Sequence, residues 1–359
     1  MKRAVICVTR PWEVIGTYEK DYSIMVVNPS INPDRLRYLL DNSDYSVLVS
    51  DHGVETRNGS EYPGEKVYWF TSGTTGDSKF FSFSAEQLNI MSETICRAYD
   101  ITPNDRYFNV MPLWHGHGQG FYWATQRAGC DVRFGAIKDK SQIELFQPTF
   151  VTSIPDMMPV IMRLDLRNLR FVRTASSSMP QQMFGELKQR FQVPVIEAFG
   201  MTEALSHCFT NPLHGEQRMG TVGLPDGIQA RIESGRLMIQ GPNVFQSGWY
   251  DTGDLAEYDS CGYYKILGRS RDQINIKGKK FNPVSLETQL LKHVPGLTEC
   301  VIFGSDKLKC LWMGESNPDF IRHCLSNMDH QLKPTLLEKV ESIPKLCDKI
   351  SRSWLDKNY

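Results

Sequence analysis

Short apolar runs alternate with segments of helical spacing through roughly the first two thirds of the chain. In N-P-D-R-L-R-Y-L-L-D-N-S-D the apolar positions recur three and four apart, which predicts a helix, and the S-V-L-V-S-D that follows predicts a buried strand. Residues 1–65 read as the incomplete opening of a β/α domain. Ala85 to Tyr99 has helical spacing and Tyr107 to Leu113 is strand-like. Ile143 to Phe146, P-T-F-V-T-S-I-P, L-R-F-V-R-T-A and V-P-V-I-E-A-F-G add further short apolar runs, separated by helical segments. Such alternation predicts α/β sheets with helices packed on their faces.

From about Arg218 the texture changes. T-V-G-L-P-D-G, I-E-S-G-R-L-M-I-Q-G-P-N and G-Y-Y-K-I-L-G-R are close-set strands broken by Gly and Pro, the pattern of an antiparallel region. Beyond Arg271, N-P-V-S-L-E-T-Q-L-L-K-H-V, E-C-V-I-F-G and a charged final stretch predict a small α+β unit. The expected division is a large α/β domain over 1–270, made of β/α sheet subdomains and a β-rich subdomain, followed by a small domain over 271–359. No internal repeat or low-complexity tract interrupts it.

Composition narrows the function. A chain of 359 residues with 41% hydrophobic content has material for two or three domains. Its net charge of -1 says nothing about a polyanionic partner, but the lack of a basic stripe with interleaved aromatics argues against nucleic acid. The opening M-K-R-A-V-I-C-V-T-R-P-W lacks a long apolar stretch and no later window reaches membrane-spanning length, so a soluble cytoplasmic protein with no membrane partner is expected. Nine cysteines scattered singly, with no C-x-x-C pair, support neither a disulfide framework nor a zinc site.

The strongest chemical signal is Y-W-F-T-S-G-T-T-G-D-S-K, Tyr68 to Lys79. Glycines let a backbone approach a ligand and turn N–H groups toward it, while Thr71, Ser72, Thr74 and Thr75 add hydroxyls and Lys79 a positive charge, a combination suited to a polyphosphate. Gly73, Gly76 and Lys79 are three apart and Phe80 follows the lysine, so the loop is not a G-x-x-x-x-G-K-[ST] phosphate loop. Taken alone, the same residues also suit a polar turn closing a hairpin.

Two downstream segments shift the balance. In E-A-F-G-M-T-E-A, residues 197–204, an apolar run ends in an aromatic, a glycine, a threonine and an acid, a strand-to-loop transition where open α/β sheets bind ligands. Phe199 there suits stacking on a base, Thr202 a phosphate contact, and Glu203 the Mg²⁺ that accompanies a triphosphate; a lone Glu is otherwise a solvated loop acid. In W-Y-D-T-G-D-L-A, Asp251 and Asp254 flank Thr-Gly in what reads as a tight turn, placed to accept hydrogen bonds from ribose hydroxyls. Arg269, just downstream, is a further ribose or phosphate donor.

With these segments in this order the sequence resembles the adenylate-forming superfamily: acyl-CoA and aryl-CoA synthetases, adenylation domains of nonribosomal peptide synthetases, and beetle luciferases. The resemblance runs from about Asn28 to the C-terminus through T-S-G-T-T-G-D-S-K, P-L-W-H, F-G-M-T-E, Y-D-T-G-D and G-R-S-R-D-Q-I. It implies an ATP-dependent ligase that joins a carboxylic acid to AMP and then hands the acyl group to a thiol, that of coenzyme A or of the phosphopantetheine arm of a separate acyl carrier protein. It further implies that residues 71–79, with Gly73 and Gly76, hold the β- and γ-phosphates. Phe199 would then cover adenine, Thr202 touch phosphate, Glu203 bind Mg²⁺, and Asp254 and Arg269 fix the ribose.

The family's catalytic lysine lies in a segment like P-K-T-x-x-G-K-x-x-R, matched here by I-P-K-L-C-D-K-I-S-R, so the resemblance assigns Lys349. The segment is one residue short and Asp348 stands where the family has glycine; an unremarkable surface lysine is the other reading. Arg271 takes the hinge position about which the small domain rotates as a mobile lid, and Gly278 the position lining the thiol channel. His115 matches the histidine gating the acyl pocket, and the missing F-D-x-S pattern argues against an amino-acid substrate. Two other readings of M-P-L-W-H-G-H-G-Q-G are available. His115 and His117 as metal ligands lack a further ligand cluster, and G-x-G-x-G is not a G-x-G-x-x-G dinucleotide turn.

Trp114, Phe121, Tyr122 and Trp123 as candidate pocket lining favour an aryl or short acyl acid over a long fatty acid. Relatives carry a longer region before the phosphate loop, which implies an N-terminally abbreviated fold, a face covered by homo-oligomerisation, or lost activity. The function expected is the ligase, and the alternative is a catalytically reduced regulatory protein that binds ATP or acyl-AMP.

Overall fold

A computed structural model of the chain describes residues 1–71, 79–344 and 350–359. Residues 1–65, read from sequence as an incomplete opening, supply most of a six-stranded sheet. Its strands are β1 (Lys2–Cys7), β2 (Tyr22–Val26), β3 (Val47–Ser50), β4 (Gly53–Thr56), β5 (Glu65–Thr71) and β6 (Lys79–Ser84), in the order β4-β3-β1-β2-β5-β6. β3, β1, β2 and β5 run parallel, with β4 and β6 antiparallel at the edges. Both faces are filled: Ala4 and Ile6 point into one buried cluster, Val5 and Cys7 into another. Strand alternation places successive residues on opposite faces, so a run such as A-V-I-C is apolar throughout. The short α1 (Ile15–Tyr18) precedes β2, and α2 (Pro33–Ser43) starts on the Asn32 side chain, which accepts from the Asp34 and Arg35 amides.

The second sheet has seven strands. It is built from β7 (Arg106–Asn109), β8 (Asp131–Phe134), β9 (Phe150–Ser153), β10 (Phe171–Thr174), β11 (Val195–Phe199), β12 (Phe209–Thr210) and β13 (Leu224–Pro225), ordered β13-β12-β11-β10-β9-β7-β8. Its first five strands in sequence are parallel, and β12 and β13 are antiparallel additions. Two helices, α3 (Ala85–Ala98) and α4 (Gly116–Ala128), share one buried cluster with residues of both sheets. Trp69 and Phe83 come from the first sheet, Phe150 and Phe171 from the second, and Met91 and Phe121 from the helices. A reciprocal capping box starts α3, Ser84 accepting from the Gln87 amide and Gln87 from the Ser84 amide.

The far face of the second sheet is covered by α5 (Lys140–Phe146), α6 (Met158–Ile161) and α7 (Gln181–Phe191). The Ile143–Phe146 run is thus helical, a correction to its reading among the strand-like segments. Ile143 and Phe146 lie three apart and face the core together, while Leu145 is exposed.

The texture change near Arg218 corresponds to an antiparallel four-stranded sheet of β14 (Gln229–Glu233), β15 (Arg236–Gln240), β16 (Tyr250–Tyr258) and β17 (Tyr264–Arg269). Beyond it come a hairpin of β18 (Ile274–Ile276) and β19 (Lys279–Phe281), α8 (Pro283–His293), β20 (Leu297–Phe303), β21 (Lys309–Gly314), α9 (Pro318–Met328), β22 (Leu336–Lys339) and α10 (Arg352–Asn358). These last elements enclose cores of their own: Ile274, Leu290, Ile302 and Ile321 in one cluster, Val301, Phe303, Leu311 and Leu355 in another. The small α+β unit expected beyond Arg271 is therefore present.

Candidate active site

Strand β16 carries the D-T-G-D segment, which is a bulge inside a strand and corrects the tight turn expected from sequence. Met238 pairs with Asp251 and Arg236 with Leu255, so Leu237 alone faces Thr252, Gly253 and Asp254. Gly253 takes φ 74°, in the left-handed region that favours glycine, and its amide donates to Asp251 Oδ1 at 2.9 Å. Thr252 turns inward and donates to Leu237 O at 2.9 Å while accepting from the Asp254 amide at 3.1 Å. Bulges of this kind re-aim a side chain. Here the result separates the two acids: Asp251 pairs with Arg236 at the surface, whereas Asp254 is turned inward and buried.

Asp254 faces Arg269, its register partner on β17, with 2.9 Å between Oδ1 and Nε. The same guanidinium donates from Nη1 to Thr252 O at 3.0 Å, which fixes its plane. Asp254 Oδ2 is buried and has no hydrogen-bond partner among the described residues. Burial raises the Asp254 carboxyl to about 6, with Arg269 and Arg271 pulling the other way and Glu203 adding to the rise. A buried carboxylate oxygen without a donor is costly and calls for a partner. Two adjacent hydroxyls of a sugar are donors of the right chemistry.

Glu203 lies in a short helical turn, Thr202–Ala204, immediately beyond β11. Burial pushes the Tyr250 phenol up to about 12 and the negative charge of Glu203 adds to the rise, so Glu203, Tyr250, Asp254, Arg269 and Arg271 lie within one another's electrostatic reach although they come from three separate segments. The loop is tightly built. A Cβ at Gly200 would lie 2.0 Å from Ser206 O, and Leu205 and Ser206 both take left-handed φ, 50° and 62°. The Ser206 amide donates to Met201 O at 2.8 Å, and the Phe245 amide to Glu203 O at 2.9 Å, tying the turn to the neighbouring loop. Among the described residues no group of three or more His, Cys, Asp or Glu side chains encloses a metal ion. A Mg²⁺ held by the single carboxylate of Glu203 would take its other ligands from phosphate oxygens and water, the usual company of that ion.

Phe199 ends β11, half-buried, with its ring edge-on to Phe209 at 6.0 Å between centroids. His115 caps α4 with its backbone and is half-buried. The His115 and His117 pair is split by burial: His117 is packed inside, held well below its ordinary value by desolvation and then by the positive charges of Arg173 and His115. Two glycines of G-H-G-Q-G, Gly116 and Gly118, serve packing. A Cβ at Gly116 would strike Ser206 Oγ at 1.8 Å, and one at Gly118 would lie 2.3 Å from Pro112 O.

Lys79 begins β6 opposite Thr71 and is exposed. Ser72, Gly73, Thr74, Thr75, Gly76 and Lys349 lie outside the described residues, as does the side chain of Thr71. Arg271 sits in the short turn Ser270–Asp272 that joins the four-stranded sheet to the small domain. Gly278 lies with Lys277 in the two-residue turn between β18 and β19, both at positive φ, 84° and 51°. Sequence reasoning passed over Tyr250, which stands among the charges of Glu203, Asp254 and Arg269, and the buried Arg173, which lies 3.0 Å from His117 Nε2. The latter had a legible signal, a charged residue inside the apolar run L-R-F-V-R-T-A.

An open sheet with catalytic-type side chains just beyond its parallel strands, plus an antiparallel sheet contributing a buried Asp paired with a partly exposed Arg, defines a nucleotide-binding α/β protein. Residues 66–249 match the family described as AMP-binding enzyme, and the chain belongs to that family. Among curated relatives it is 29% identical over 333 residues to a probable CoA ligase of Humulus lupulus, covering 78% of this chain and 63% of the relative. It is 30% identical over 314 residues to an oxalate–CoA ligase of Arabidopsis thaliana, covering 74% of this chain and 60% of the relative. The chain thus spans under two thirds of the length of these relatives. Its fold is shared with the ATP-bound MatB structure from Rhodopseudomonas palustris, at TM-score 0.86 and 18% identity, over 100% of this chain and 88% of that one.

Proposed function

We propose that this chain is an AMP-forming acid–thiol ligase: it activates a small carboxylic acid, aryl or short acyl, with ATP and passes the acyl group to the thiol of coenzyme A. The observation that carries the reading is the buried Asp254 carboxylate, held by Arg269, with one oxygen left without a donor beside Glu203. The CoA-ligase names of the two relatives support the reaction class, and the oxalate ligase supports the short end of the acid range.

Oxide is too poor a leaving group for a thiol to displace from a carboxylate directly. A carboxylate oxygen of the acid therefore attacks the ATP α-phosphorus, the bond to the pyrophosphate oxygen breaks, and acyl-AMP and pyrophosphate form. A thiolate sulfur then attacks the acyl carbon and AMP leaves. The protein's share is positioning and charge stabilisation. Asp254, kept ionised by Arg269, accepts from the ribose hydroxyls; Phe199 covers adenine; Thr202 donates to phosphate. Glu203 would hold Mg²⁺, which would supply charge neutralisation to the triphosphate. Thr71 to Lys79 cradle the β- and γ-phosphates, His115 gates the acyl pocket, and Lys349 neutralises charge between the carboxylate and the α-phosphate. Arg271 is the hinge that brings the small domain over the site, and Gly278 lines the thiol's path.

Carboxylate-dependent ATP–pyrophosphate exchange across a panel of aryl and short acyl acids tests the proposal. Exchange that is lost in Glu203→Ala and Lys349→Ala supports the ligase. A wild type inert with every acid, yet binding ATP, replaces it with the regulatory binding protein. Coenzyme A and a phosphopantetheinylated carrier protein, added in turn, identify the acceptor.

A further inference from the structure

Arg173 heads the large side chains that are fully buried, at 1% exposure, in the middle of β10. A guanidinium removed from water needs an anion or a full set of hydrogen bonds. The partners of Arg173 are all neutral. Its Nε donates to Tyr99 Oη at 2.8 Å, its Nη1 lies 3.0 Å from His117 Nε2 and 3.3 Å from Thr152 Oγ1, and its Cζ is 5.0 Å from the Phe121 ring centroid. Among the described residues no carboxylate forms an ion pair with it. Asp226, beyond the Tyr99 and His207 rings, is taken by His207 and Arg97.

A second polar atom beside it is also unsatisfied. His117 Nδ1 is buried and makes no hydrogen bond among the described residues. His117 stands two residues past His115, in the first turn of α4. The Gly116 between them lies against Ser206 of the loop that carries Thr202 and Glu203. The uncompensated cation is therefore next to the first turn of α4, the element expected to line the acyl pocket.

We propose that Arg173, with His117 beside it, receives a second carboxylate on the substrate, so that the acid activated here is a dicarboxylic acid. The inference rests on the ligase reading and names the substrate class of that site. One carboxylate of the acid is presented to the α-phosphate while the other compensates the buried guanidinium. A monocarboxylic acid leaves that cation unpaired and sets an apolar end against it, which is discrimination by an unsatisfied charge.

The test uses the full chain with ATP and Mg²⁺ and compares oxalate, malonate and succinate with acetate, propionate and butyrate. Wild-type thermal unfolding should shift upward with at least one diacid and with none of the monoacids. In exchange assays Arg173→Met should raise the diacid KM, cutting the diacid-to-monoacid ratio of kcat/KM by at least ~30-fold, as expected when one partner of a buried charge pair is removed. A wild type that binds monoacids as well as diacids overturns the proposal, and this readout needs no variant to fold. So does an R173M protein that loses both classes in parallel, the signature of a merely structural arginine. Diacid-specific stabilisation without exchange counts against the ligase reaction and leaves the receptor standing.

Discussion

Asp254 Oδ1 lies 2.9 Å from Arg269 Nε across paired strands, while the other oxygen of the same carboxylate is buried with no donor. Asp254 is 3% exposed. In the proposed ligase the ion pair is half of a site: Arg269 holds the carboxylate in place and favours its charged form, and the second oxygen is left to accept from a ligand. Replacing Arg269 leaves the acid buried and uncompensated, so Arg269→Met is expected to weaken ATP binding by at least ~30-fold and to lower stability by about 3 kcal/mol. Isothermal titration with ATP and urea denaturation measure the two effects. An ATP affinity equal to wild type would remove Asp254 from the nucleotide site.

The raised Asp254 carboxyl, about 6 against an ordinary 3.8, makes a pH prediction. An acid whose folded value lies above its unfolded one stabilises the fold while protonated. That contribution is complete below about pH 4 and is lost as pH rises through 6. Two units correspond to roughly 3 kcal/mol. Asp254→Asn carries no such titration, so the stability difference between variant and wild type should grow in the variant's favour between pH 4 and pH 7 and then level off. Denaturation midpoints collected across that range check it; parallel pH profiles would mean that the group titrates normally. The same variant should bind ATP more weakly, because an amide offers one acceptor oxygen where the carboxylate offers two.

Most of the scaffold is legible in the sequence because periodicity reports burial directly. The helix at Pro33–Ser43, the strand at Val47–Ser50 and the antiparallel region after Arg218 follow from apolar spacing and turn residues. Ile143–Phe146 misled because a two-turn helix with one buried face is, over four residues, also an apolar run. The site is legible at the level of residue type and illegible at the level of direction. D-T-G-D offers two equivalent aspartates, and only the bulge opposite Leu237 sends one to Arg236 and the other to Arg269. Likewise His115 and His117 are indistinguishable in H-G-H until the first turn of α4 buries one of them.

Gly200 and Gly185 give a paired test of the loop. A Cβ at Gly200 would meet Ser206 O at 2.0 Å and Ser206 C at 2.2 Å, in a loop where Leu205 and Ser206 already take left-handed φ. Gly200→Ala should cost about 1–3 kcal/mol and displace Thr202 and Glu203, depressing exchange further than stability alone explains. At Gly185, inside α7, an added Cβ meets nothing within 4 Å. Gly185→Ala should stabilise by about 0.5–1 kcal/mol with exchange unchanged. Equal behaviour of the two variants in denaturation would contradict the packing account.

Within the small domain, Arg352 Nη2 contacts both oxygens of Glu287 at 2.7 Å and its Nε donates to Ile302 O at 3.0 Å; Glu287 in turn accepts from the Ile302 amide at 2.6 Å. Three segments, α8, β20 and the start of α10, are joined at one buried pair. Arg352 follows Lys349 by three residues, so this strut fixes the chain just beyond the segment that is proposed to deliver the lysine. Removing one member leaves the other charged and buried, at about 3–5 kcal/mol, whereas removing both leaves an apolar contact. Arg352→Met should therefore destabilise the small domain more than the double variant Glu287→Met/Arg352→Met does, a coupling that hydrogen exchange at β20 and β21 resolves. In the single variant ATP affinity should stay near wild type, because Asp254 and Arg269 belong to the large domain, while the exchange rate falls with the misplaced lysine. A single variant that exchanges at the wild-type rate would show that Lys349 needs no such anchor.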